Sequence, residues 1–265
     1  MDFESSQKKD ASKKKLGVEK QDLSHMHARI ASVVRAVANK PDLHVTTEVD
    51  PLIARQLQMQ GKDPDTTWFK REFIDEKTGK SRGEYVHIPK QIIEEDEEVA
   101  LGSAAHEAGH VIISRARVFI PDEVFRKPGF SAILASVEER PTDQVVRDRF
   151  SGGGEWVDAM RRSLGKEGAV IREQLEVMGH KASKLPKFQQ LCDLLVFEPH
   201  FADVTKEADA DVIESYNRVR KAVEKAEHTL PKEEDGEEET LNYAQKRYAI
   251  TYKKIFPEAM RLLKI

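Results

Sequence analysis

Apolar residues recur at helical spacing from Asp22 to Asn39, where Leu23, Met26, Ile30, Val33, Val34 and Val37 mark one face, and Pro41 ends the run. Leu43 to Val49 alternates and is β-branched, which predicts a strand. Asp50-Pro51 breaks it, and a short helix is expected over Leu52–Met59. Thr66–Ile74 and Glu84–Ile88 read as two arms of a hairpin around the turn chemistry of Lys77–Gly83. A helix is expected from about Glu97 to Arg117, a loop from Pro121 to Gly129, and a second helix between Val137 and Phe150, ended by Ser151-Gly-Gly-Gly154. Beyond Glu155 the pattern is mostly helical, with breaks near Gly165–Gly168, Gly179–Pro186 and Pro199 and an acidic linker over residues 231–240. The order of elements predicts an α+β chain with a helical C-terminal half. The expected organisation is a solvated tail over residues 1–20, a domain over 21–160 and a helical region over 161–265.

Composition narrows the classes. The chain has 265 residues, enough to bury a sizeable core. Charged residues are 34%, against a typical value of about 25%. No stretch approaches the ~20 apolar residues of a membrane helix, and the Lys-rich N-terminus has no signal-like apolar core, so a cytoplasmic setting is expected. The single cysteine, Cys192, excludes an internal disulfide and a cysteine-based zinc finger. With 43 basic and 47 acidic residues the net charge is −4, and nucleic acid is not an expected partner. Ser151–Gly154 lacks the Lys-Ser/Thr of a phosphate loop.

The chemistry concentrates in Ala104–Val111, which contains His106-Glu107-Ala108-Gly109-His110, an HExxH motif. A helix turns about 100° per residue, so the two histidines stand one turn apart and about 40° apart in azimuth. Both can bind one Zn²⁺, and Glu107 beside them can take a proton from a water activated by the metal. The competing reading is two surface histidines on an ordinary helix. The apolar positions Leu101, Val111, Ile112 and Ile113 favour a buried helix instead.

A catalytic zinc takes three protein ligands and keeps one position open. The third should come from the next helix, where Glu139 stands 29 residues after His110. Asp143 follows on the same helical face and could fix a ligand histidine through its second nitrogen. Glu138 is the rival ligand, but it lies about 140° from Asp143 on a regular helix. Ser136–Glu139 also fits a capping box, in which Glu139 would only satisfy a helix start, and Pro141 between the acids could distort their spacing.

HEAGH followed by an ExxxD pair resembles the gluzincin branch of zinc metallopeptidases. The segment VEERPTDQVVRDRFSGGGEWVDAM is similar to metallopeptidase domains found beside von Willebrand type A modules, and the histidine-to-glutamate gap resembles the ImmA/IrrE type of small metallopeptidase. The likeness spans roughly residues 40–160; only HExxH is a specific motif, and no von Willebrand module is present. It implies a zincin-like minimal metallopeptidase domain, with the strand-rich segment ending at EYVHIP as its sheet. It also implies hydrolysis of a peptide or protein substrate, with His106, His110 and Glu139 on zinc and Glu107 shuttling protons. An extended substrate would pair with an edge strand, for which Glu84–Ile88 is the candidate. A Tyr or His would hold the oxyanion, and Tyr85, His87, His180, His200 and Tyr216 are all open. The alternative function is a metal-binding zincin scaffold that acts as a regulatory or interaction module, with the C-terminal helices as its partner surface. A purely helical interaction protein would have to treat HEAGH as chance.

Overall fold

A computed structural model describes residues 24–59, 62–74, 81–115, 119–177, 185–201 and 208–263. The tail over 1–20, His180 and most of the Lys77–Gly83 turn lie outside these residues. The chain is α+β, mostly helical with one small mixed sheet. Compactness divides it into two units, Met1–Ala108 and Gly109–Ile265, at a point inside one helix.

The first unit opens with helix α1 over residues 24–38, which buries Ile30, Val33, Val34 and Val37 as the apolar spacing requires. Strand β1 (His44–Thr46) is shorter than its β-branched run. Helix α2 (Pro51–Met59) buries no residue and leaves Leu52 and Met59 exposed. Strands β2 (Phe69–Ile74) and β3 (Ser81–His87) form the expected antiparallel hairpin. β1 pairs parallel with β3 in register His44 to Tyr85, giving the order β1-β3-β2. Glu84–Ile88 is therefore not an edge, as the sequence suggested. It lies on and just after the central strand, and its Tyr85, Val86 and His87 are buried. The pairing of β1 along its second side removes the edge.

Helix α3 (Lys90–Glu95) follows Pro89, and α4 (Glu97–Ile113) carries HEAGH. The start of α4 is capped: Asp96 Oδ1 accepts from the backbone N–H groups of Glu98 (3.0 Å) and Val99 (3.1 Å). Glu97 and Glu98 in the first turn suit the positive end of the helix dipole. Residues 100–109 are buried on every face, so the middle of α4 is covered all round, its polar Ser103, His106 and Glu107 included.

The second unit is all helical in its described elements. It comprises α5 (Asp122–Phe125), α6 (Phe130–Arg149), α7 (Gly153–Val177), α8 (Lys187–Phe197), α9 (Ala210–Glu227), α10 (Glu237–Ile250), a π-helical turn (Thr251–Ile255) and α11 (Phe256–Leu263). α6 starts at Phe130 rather than near Val137. Gly129 adopts φ 74° before it, and a side chain there would meet the Phe188 ring at 2.6 Å. Ser136–Glu139 thus lies inside α6, which removes the capping-box reading. Pro141 is accommodated within the same helix. The acidic 231–240 stretch is not all linker: residues 237–240 open α10, and Glu237–Glu239 lie in its first turn, where the dipole favours them. The π turn ends two residues before Pro257, which has no N–H to donate to the helical ladder. Phe130, Leu191, Leu194, Leu195, Val212, Tyr216, Ile255 and Phe256 build the core of this unit.

Candidate metal centre

The ligand atoms of His106, Glu107 and His110 on α4 lie within 4.8 Å of one another. His106 and Glu107 are buried, and His110 is partly exposed. No hydrogen bond or ion pair holds the Glu107 carboxylate among the described residues.

Close approach beside this motif depends on Gly109. A Cβ there would stand 2.8 Å from Thr142 Cγ2 and 2.9 Å from Thr142 O, so α6 can pass at this distance only because the residue is glycine.

Successive residues of α6 then fan out by about 100° each. Glu138 turns to Arg247, which donates from Nε to Oε1 at 2.9 Å. Glu139 turns to His110, with Oε1 3.6 Å from Nε2. Arg140 turns to the end of α8 and donates to the carbonyls of Leu195 (2.5 Å) and Leu194 (2.9 Å) and to the Tyr216 hydroxyl (3.0 Å). Two ligands of one tetrahedral zinc, each about 2.0–2.2 Å from the ion, are about 3.4 Å apart. The His110–Glu139 separation fits that edge. Glu138 is committed to a buried guanidinium, and using it as a ligand would leave Arg247 unpaired.

Glu139 is itself held. Arg161 donates to Glu139 Oε2 at 2.8 Å and to Asp143 Oδ2 at 2.8 Å. Burial opposes the charge on Arg161, but Asp143 and then Glu139 outweigh it and hold its pKa above the usual value. Asp143 also faces His200, whose Nε2 is 3.7 Å away. Burial pushes the His200 pKa down against the pull of Asp143. The second nitrogen of His110 meets two hydroxyls, Ser114 Oγ at 2.9 Å and Thr142 Oγ1 at 3.1 Å.

The oxyanion candidates separate by surroundings. Tyr85 is buried in the sheet beside Phe69. His87 stacks on Phe69 with ring centroids 4.9 Å apart, and burial lowers its pKa against the nearby backbone oxygens of Pro64, Thr46 and Glu48. Tyr216 donates its hydroxyl hydrogen to Glu198 (3.0 Å) and is a core residue. His200 is the candidate that shares Asp143 with the Arg161–Glu139 cluster.

Sequence reasoning missed Ser114, Thr142, Arg161 and Arg247. Ser114 follows His110 by one helical turn and was legible from spacing. Arg161 and Arg247 were not, because nothing local marks which distant cation answers a buried acid. Comparison of the chain with protein-family models, with curated proteins and with solved structures found no match in any of the three.

Proposed function

We propose that this protein is a gluzincin-like zinc peptidase that hydrolyses peptide bonds. His106, His110 and Glu139 would hold the ion, and Glu107 would act as general base and then general acid. The observation that carries the reading is Glu139 Oε1 at 3.6 Å from His110 Nε2, on a helix where His106 stands one turn earlier. The donor set of two imidazoles and one carboxylate is that of a catalytic zinc site. When bound, zinc supplies Lewis acidity, which polarises a carbonyl and acidifies water.

The chain's own residues do the rest. The Glu107 carboxylate takes a proton from the attacking water and returns it to the departing amine nitrogen. Arg161 fixes Glu139 through Oε2 and leaves Oε1 toward His110. An extended substrate would align along β1 or β2, the edges of the described sheet.

The test is the Glu107→Gln variant assayed beside the wild type on a denatured-protein substrate with and without zinc. Glu107→Gln should retain zinc and lose hydrolysis. An unchanged rate removes Glu107 from the mechanism.

A further inference from the structure

The rival carboxylate, Glu138, has work of its own. Two hydroxyls approach His110 Nδ1, and each has one hydrogen to give. Thr142 gives its hydrogen to the Glu138 carbonyl at 2.7 Å. Ser114 gives its hydrogen to Glu138 Oε2 at 3.3 Å. Both therefore meet Nδ1 with a lone pair, at 3.1 and 2.9 Å. Two lone pairs can face that nitrogen only if it carries the hydrogen.

Arg247 keeps this arrangement in place. Its side chain is fully buried and donates to both Glu138 oxygens, at 2.9 and 3.3 Å. It also donates to the carbonyl of Ile113 at the end of α4 (2.6 Å) and to that of Thr229 (2.9 Å). With both oxygens answering donors, the carboxylate meets Ser114 as an acceptor.

We propose that the Glu138–Arg247 pair, acting through the Ser114 and Thr142 hydroxyls, fixes neutral His110 as its Nδ1–H tautomer and so turns the Nε2 lone pair toward Glu139. Glu138 and Arg247 are positioning residues, and α10 becomes part of the centre. The purpose of the device rests on the proposed zinc site; the tautomer does not.

Long-range ¹H–¹⁵N correlation spectra of the metal-free full chain, at a pH where the His110 ring is neutral, test the claim. The wild type should carry the ring hydrogen on Nδ1. In the double variant Ser114→Ala/Thr142→Val, which leaves Glu138 and Arg247 paired, the two tautomers should mix. Zinc affinity should then fall by roughly 10–100-fold. A wild-type hydrogen on Nε2 overturns the proposal, as does a folded double variant with unchanged tautomer and affinity. If the double variant does not fold, the wild-type spectrum decides alone. If the wild type takes up no zinc, the proposed function fails while the ring assignment still judges the positioning claim.

Discussion

Gly109 shows how one residue sets what the site can be. Alanine is the better helix former by about 1 kcal/mol, and an open helix would gain from it. Here the added Cβ meets backbone and side-chain atoms of Thr142 at 2.8–2.9 Å. Gly109→Ala should therefore destabilise the fold, by about 1–3 kcal/mol, as read by denaturant unfolding. Glu138 and Glu139 should part when unfolding and zinc titration are read side by side. Glu138→Gln should lower stability, because it weakens a buried ion pair. Glu139→Gln should lower zinc affinity more than Glu138→Gln does; the reverse order would make Glu138 the ligand. His87 gives a pH signature. Its folded pKa lies below the ordinary value of about 6.5, so the unfolded chain binds more protons in the window just under that value. Stability should fall as pH drops through this window, and His87→Gln should flatten that slope in thermal unfolding.

At the scale of elements, the helix carrying HEAGH was legible because its cap and its apolar run are both local. Asp96→Ala, which removes that cap, should cost about 1 kcal/mol of stability, measured by urea denaturation. The start of α6 was harder to read. Phe130, Ile133, Leu134 and Val137 do recur at helical spacing, but Pro121–Gly129 reads as loop and the glycine punctuates it. The chain position of β3 was legible and its place in the sheet was not. Strand order depends on β1 returning in parallel, a long-range pairing without a local signal. The same holds for Arg247, whose partner lies 109 residues away. Local acids advertise a helix start or a ligand equally well, and only packing decides which.

Across the whole molecule, no helix of the described residues is long and apolar enough to cross a membrane. The helical unit holds its core around Phe130, which stacks edge-on against Phe256 at 5.1 Å and Tyr252 at 5.8 Å. A ligand that binds only the folded chain adds stability by mass action, about 2.7 kcal/mol at 100 times its Kd. Zinc should accordingly raise the unfolding temperature and a chelator should lower it. The most direct measurement is metal analysis of the purified full chain after equilibration with zinc and exhaustive dialysis. The account predicts about one retained ion per chain, lost in His106→Ala, in His110→Ala and in Glu139→Ala alike. A wild-type chain that retains none, or a folded Glu139→Ala chain that retains it fully, would contradict the account.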